Sequence, residues 1–82
     1  MQVDVLFADA SCPVPYGPSD MKTRGLGGTE AAVLRLTEGF IRTGKRVALC
    51  QHGLQTSRDD ADVSMLAGDA VRTAQPRAVV HV

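Results

Sequence analysis

Tryptophan is absent from this 82-residue chain, and its only aromatic residues are Phe7, Tyr16 and Phe40. With so few large rings, the core must be built from Val, Leu, Ala and Ile. Long apolar runs are also missing: the stretch from Met1 to Cys12 is short and lacks preceding basic residues. A signal peptide or a membrane-spanning helix is therefore not expected.

An excess of charge is missing too, because nine Lys and Arg residues balance nine Asp and Glu residues. This balance excludes the basic surface expected of a protein that binds nucleic acid or anionic membranes. The two cysteines, Cys12 and Cys50, lack metal-site spacing, and a disulfide between them is not expected because nothing indicates secretion. We therefore expect one small, reduced, cytoplasmic domain with a narrow stability margin.

Hydrophobic patterning predicts the element order β-α-β-β-α-β. The predicted elements are a strand at 3–8, a helix at 29–43, strands at 46–50 and 62–66, a short helix at 68–75 and a strand at 78–82. This order is the first part of a doubly wound, Rossmann-like α/β sheet with strand order 3-2-1-4. The eleven residues 51–61 are few for a parallel crossover, and the third strand alternates as an edge strand does.

The first predicted helix has one apolar face, formed by Val33, Leu36, Phe40 and Ile41. Gly44 follows at the position where helices commonly end in a left-handed conformation. Gly39 lies inside the helix, where glycine costs about 1 kcal/mol relative to alanine, so we predict that it packs closely against a strand.

A Pro- and Gly-rich loop, residues 9–28, connects the first strand to this helix. Long structureless loops in small domains are usually functional. The loop ends in Gly27 and Gly28, which let a ligand approach the free amides of the first helical turn, a favourable place for a phosphate or diphosphate. Thr29 either caps the helix or contacts the same anion, and Lys22 and Arg24 are close enough in sequence to add positive charge.

Two common phosphate-binding motifs do not fit this glycine cluster. It is not a P-loop, because no Gly-Lys-Ser/Thr follows, and it is not a dinucleotide fingerprint, because Glu30 stands where the third glycine belongs.

The segment Gly27-Gly28-Thr29-Glu30, the amphipathic helix after it and Gly44-Lys45-Arg46-Val47-Ala48-Leu49 together resemble a family motif. The motif is the G-G-x-E…L…L-x-x-x-G-H-x-V segment of retaining glycosyltransferases with the GT-B architecture, in their glycosyltransferase 4-like N-terminal domain. The residues after Pro76 are similar to the P-D-V-V-H-V strand of that family. This chain departs from it at Lys45, where the family has His, and at Arg77, where the family has Asp.

The resemblance implies that residues 1–82 are a truncated part of one Rossmann-like N-terminal domain, with the C-terminal donor-binding domain absent. It implies a nucleotide-sugar donor whose diphosphate lies near Gly27, Gly28 and Thr29, and an acceptor that approaches the loop around Tyr16. Such enzymes usually need no metal, so neither a metal nor a cofactor is expected. No catalytic residue is assigned, and the chain alone is expected to be inactive.

Several other residues admit two interpretations. His52 and His81 lie near the sheet edge where α/β proteins bind ligands, so they are predicted substrate contacts, but a solvated turn residue and a packing residue are the alternatives. Tyr16 fits an acceptor contact and a ring that covers the end of the sheet equally well. Glu30 is expected to offset the helix dipole, and residues 58–62 are expected to form a solvated loop.

A second hypothesis is a non-catalytic, structural module. The last predicted strand, 78–82, leaves an unpaired apolar edge, and such edges pair with other chains, so self-association is predicted. A third hypothesis, a nucleotide-binding regulator, predicts binding without preference for a sugar.

Overall fold

The computed structural model describes residues 2–9, 14–20, 28–68 and 74–82. The elements within these ranges are β1 (Gln2–Asp9), α1 (Gly28–Arg42), β2 (Val47–Gln51), β3 (Arg58–Asp60), β4 (Val63–Ala67) and β5 (Gln75–His81). The strands form one mixed, five-stranded sheet in the order β3-β4-β2-β1-β5. The predicted α/β class is therefore confirmed. Most of the predicted second helix, 68–75, lies outside the described residues, although Gln75 already belongs to β5.

The larger core lies between the sheet and α1. The parallel register places apolar side chains in two rows across the sheet, Val5–Val47–Val63 and Phe7–Leu49–Met65. Register partners on parallel strands point to the same face, and all six side chains are buried. On the other face, a second cluster contains Leu6, Ala48, Cys50, Leu66 and Ala74. The central strands are thus buried on both faces, as their near-continuous apolar runs predict.

Three of the four residues predicted for the apolar face of α1 pack in the core, and Leu36 does not. Val33, Leu34 and Thr37 are its buried residues, whereas Leu36 is 55% exposed. The buried stripe is centred on Thr37, about 100° around the helix from Leu36. Thr37 can be buried because its hydroxyl donates a hydrogen bond to the Val33 carbonyl, at 2.9 Å. The prediction for Leu36 was wrong because Thr37, a polar residue, belongs to the buried stripe instead.

The end of α1 follows the prediction for Gly44. Its φ is +83°, and the amides of Gly44 and Lys45 donate to the carbonyls of Ile41 and Phe40, at 2.9 and 3.1 Å. These two bonds form a Schellman motif, which satisfies the last carbonyls of the helix.

Gly39 does not pack against a strand, contrary to the prediction. It is exposed, and a Cβ atom built on it would meet no atom within 4 Å. Gly39 therefore lowers the stability of the helix, as glycine usually does, and no close packing offsets that loss.

We expect Gly39→Ala to raise the free energy of unfolding by about 0.5–1 kcal/mol, because alanine loses less backbone entropy in a helix. Gly44→Ala, the matched variant at the positive φ, should lower it by about 1 kcal/mol. Urea titration followed by circular dichroism measures both. A loss of stability in Gly39→Ala would show that this position is packed in solution.

The polar segment 58–62 is not a loop, which corrects a second prediction. Residues 58–60 form β3, which pairs antiparallel with β4 from Arg58↔Met65 to Asp60↔Val63. The turn between them contains Ala61 at a positive φ of 53°. Since β3 occupies the edge, β4 is not the edge strand that its alternation predicted. β3 also explains the short crossover, because the chain returns along β3, as a strand rather than as a helix, before it enters β4.

β5 lies at the opposite edge of the sheet. It pairs in parallel with β1 from Gln2↔Gln75 to Ala8↔His81. Its valines are exposed, with Val79 at 45% and Val80 at 41%. Successive residues of a strand face opposite sides, so apolar surface is open on both faces of β5.

Candidate functional site

The carboxyl edge of the sheet is where open α/β folds bind ligands. Here β1 and β2 end in polar residues, Asp9 and Gln51, which are adjacent in the register and almost completely buried. α1 begins on the same side, because it follows β1 and returns to the start of β2. This edge therefore brings together buried polar groups and the amino terminus of a helix.

Tyr16 is bonded to both strand ends. Its backbone N–H donates to Gln51 Oε1 at 2.9 Å, and Gln51 Nε2 donates back to the Tyr16 carbonyl. Its hydroxyl donates to Asp9 Oδ2 at 2.8 Å. The side chain of Gln51 thus pairs with the backbone of the loop much as a neighbouring strand would, and it fixes the loop over the end of the sheet.

This geometry decides between the two interpretations of Tyr16. Its side chain is 0% exposed and belongs to the core beneath α1. A side chain enclosed in this way cannot contact an acceptor, so Tyr16 covers the end of the sheet and the acceptor role is withdrawn. Asp9 and Gln51 were not predicted as site residues. The available signal was a polar residue directly after each of two buried strands.

A second anchor holds the next part of the same loop. Ser19 Oγ donates to Asp60 Oδ2 at 2.9 Å, and the Gly17 amide donates to Asp20 Oδ2 at 2.7 Å. A Cβ atom on Gly17 would lie 2.3 Å from Asp60 Oδ2, so a larger residue would require that carboxylate to shift. The described part of the loop, residues 14–20, is therefore attached both to the end of the sheet and to β3.

With respect to the residues that the structure describes, the start of α1 is open. Gly28 and Thr29 are exposed, and a Cβ atom on Gly28 would meet no atom within 4 Å. In the described part of the chain, no carbonyl outside the helix accepts a hydrogen bond from a backbone amide of its first turn. The predicted partners Gly27, Lys22 and Arg24 lie outside the described residues.

The two histidines are exposed and lie at the ends of different strands. His52 follows β2, and its backbone N–H donates to the Asp9 carbonyl at 3.1 Å. His81 ends β5 in register with Ala8, on the face of the sheet away from α1. β1 separates the two strands, so their axes are about 10 Å apart. Neither imidazole has a hydrogen bond or an ion pair with another described residue.

Across the described ranges, no group of three or more His, Cys, Asp or Glu residues is arranged to hold a metal ion. None of the described helices is both long and apolar enough to cross a membrane. Cys50 is buried, with its sulfur 3.6 Å from the Ala67 carbonyl oxygen, and Cys12 lies outside the described residues.

No protein-family model, no curated protein and no solved structure matches this chain. Its function must therefore be inferred from the geometry of the carboxyl edge and from the motifs in the sequence.

Proposed function

We propose that this chain is the amino-terminal part of a retaining, nucleotide-sugar-dependent glycosyltransferase of the GT-B type. In this proposal the donor diphosphate lies at the start of α1, beside Gly27, Gly28 and Thr29. The observation that supports it is the exposed first turn of α1, where Gly28 faces open space at the carboxyl edge of a parallel sheet. The proposal includes a cytoplasmic location and no metal or other cofactor.

The expected role of this turn is electrostatic. The first amides of a helix have no partner within the helix, and the dipole gives that end a partial positive charge. Oxygens of a diphosphate accept hydrogen bonds from such amides, and a glycine lets them approach without obstruction by a Cβ atom. The hydroxyl of Thr29 is exposed and can donate one more bond. Lys22 and Arg24 would add charge, and His52 and His81 would contact the sugar or the acceptor.

Gly28→Asp tests this proposal without disturbing the fold. A carboxylate at the start of a helix favours folding by about 0.3–1 kcal/mol, so stability should be kept or increased. It also places a negative charge where the diphosphate should lie, so affinity for a nucleotide diphosphate sugar should fall about tenfold or more. Calorimetric titration with a panel of such sugars measures the affinity.

Gly39→Asp is the matched control, because it makes the same substitution at an exposed position of the same helix. It lies about 16 Å along the axis from Gly28, beyond the screening length of about 10 Å at ordinary salt, so affinity should be unchanged. Equal losses in both variants would contradict the proposed site. Equal affinity for nucleotides with different sugars, or with none, would instead support a nucleotide-binding regulator. Transfer activity by the chain alone would contradict the expectation that a second domain is needed.

A second candidate function, a self-associating structural module, is favoured by β5. Its outer edge has no neighbouring strand among the described residues, and Val79 and Val80 present apolar surface on opposite faces. An exposed apolar edge of this kind can pair with the same edge of another copy. Self-association through β5 is compatible with the enzyme proposal, because it uses a different part of the molecule from the start of α1.

A further inference from the structure

A second polar site lies at the amino edge of the sheet, at the other end from the proposed diphosphate site. An open cavity of about 180 Å³ is lined there by Gln2, Val3, Asp4, Arg46 and Arg77. Three of these residues are otherwise unexplained. Asp4 interrupts an apolar strand, Arg46 precedes β2, and Arg77 departs from the family resemblance. The fold brings all three to one place.

Asp4 fixes the backbone of Arg46. Its carboxylate accepts a hydrogen bond from the Arg46 amide at 2.8 Å. The Arg46 carbonyl in turn accepts hydrogen bonds from the amides of Asp4 and Val5, at 2.9 and 3.2 Å. With both backbone groups of Arg46 bonded to β1, the root of its side chain is held at the rim of the cavity. Within the described residues, the Arg46 guanidinium has no ion pair.

Arg77 is positioned from the other side by β5. Its Nε atom lies 3.9 Å from Asp4 Oδ1, and its side chain is 78% exposed. An ion pair this long and exposed is weak, so it does not hold the guanidinium away from another anion. The two arginines and one aspartate give the cavity a net positive charge, with planar donors that suit an anion with two or more oxygens.

We propose that this cavity binds a small oxyanion, a phosphate or carboxylate group, between the guanidinium groups of Arg46 and Arg77. Asp4 is a positioning residue, because its carboxylate fixes the backbone of Arg46 beside Arg77. The site does not depend on the glycosyltransferase proposal, because it lies at the opposite edge of the sheet and shares no residue with the start of α1.

Titration with inorganic phosphate, followed by amide NMR, tests this site. We expect saturable shifts at Asp4, Arg46 and Arg77, and Kd about tenfold weaker in Arg77→Gln and in Arg46→Gln. Both side chains are exposed, so these variants should fold. Asp4→Asn should bind phosphate more tightly, because it removes a negative charge. It keeps an oxygen that can accept the hydrogen bond from the Arg46 amide.

Lys45→Gln is the matched control, because Lys45 is exposed and adjacent in sequence but does not line the cavity. Its affinity for phosphate should match that of the unmodified chain. The proposal is wrong if phosphate shifts none of the three amides, or if Lys45→Gln weakens binding as much as Arg77→Gln. Acetate, titrated in parallel, identifies which oxyanions the cavity accepts. Shifts with both ions mean that it binds carboxylate and phosphate groups alike, and shifts with phosphate alone mean that it is specific for a phosphate group. Shifts at Gly28 report separately on the diphosphate site.

Discussion

Replacing Tyr16 with alanine is expected to lower the free energy of unfolding by about 3–5 kcal/mol. The ring is fully buried in the main core, and its backbone and hydroxyl are bonded to Gln51 and Asp9. A chain of this length has a total stability of roughly 4–12 kcal/mol, so the variant should lose a large part of it. Urea titration monitored by circular dichroism measures the change.

A second variant separates the contribution of the ring to stability from that of the hydroxyl, and a third serves as a control. Tyr16→Phe keeps the ring but leaves the buried Asp9 carboxylate without this donor, so we expect a loss of about 1.5–3 kcal/mol. Val14→Ala is the control in the same loop, and because Val14 is 54% exposed its effect should stay within about 0.5 kcal/mol. If Tyr16→Ala costs no more than Val14→Ala, the loop is not attached to the sheet in solution.

The second large effect is expected on self-association, when a lysine is placed on the edge strand β5. We expect the chain to self-associate through β5, and Val80→Lys to weaken that association about tenfold or more, because pairing would bury an unpaired charge. Val80 is 41% exposed at the sheet edge, so the variant should fold. Light scattering coupled to size-exclusion chromatography measures the association.

Leu36→Lys is the matched control for this experiment. Leu36 is also apolar and exposed, but it lies on α1 rather than on β5. The same added charge at this position should leave association unchanged. A monomeric unmodified chain, or equal effects of the two lysines, would rule out association through β5.

The parts of the fold that local sequence determines were predictable. Buried parallel strands are short apolar runs, and Gly44 marks a helix end, so the α/β class and the end of α1 could be inferred directly. β3 was missed because its residues, Arg58 to Asp60, have low strand propensity and form a strand only by pairing with β4. On α1 only Leu36 was misassigned, because no local pattern shows that the Thr37 hydroxyl is satisfied within the helix and can be buried.

The candidate site was only partly predictable, because its contacts join distant residues. Tyr16 and Gln51 are 35 positions apart, and no local pattern shows that one side chain will bond to the backbone of the other. The open first turn of α1 follows from the glycines before it and from the polarity of a helix. The cluster at the amino edge was not predicted, since Asp4, Arg46 and Arg77 meet only when β1 pairs with both β2 and β5.

The most direct measurement is a titration of the chain with inorganic pyrophosphate, followed by the amide NMR signals of the first turn of α1. If the start of this helix is a diphosphate site, the signals of Gly28, Thr29 and Glu30 will shift together and saturate, and Gly28→Asp will abolish the shifts. If these signals stay fixed while pyrophosphate binds elsewhere or not at all, the chain has no diphosphate site at this helix and the proposed donor position is wrong.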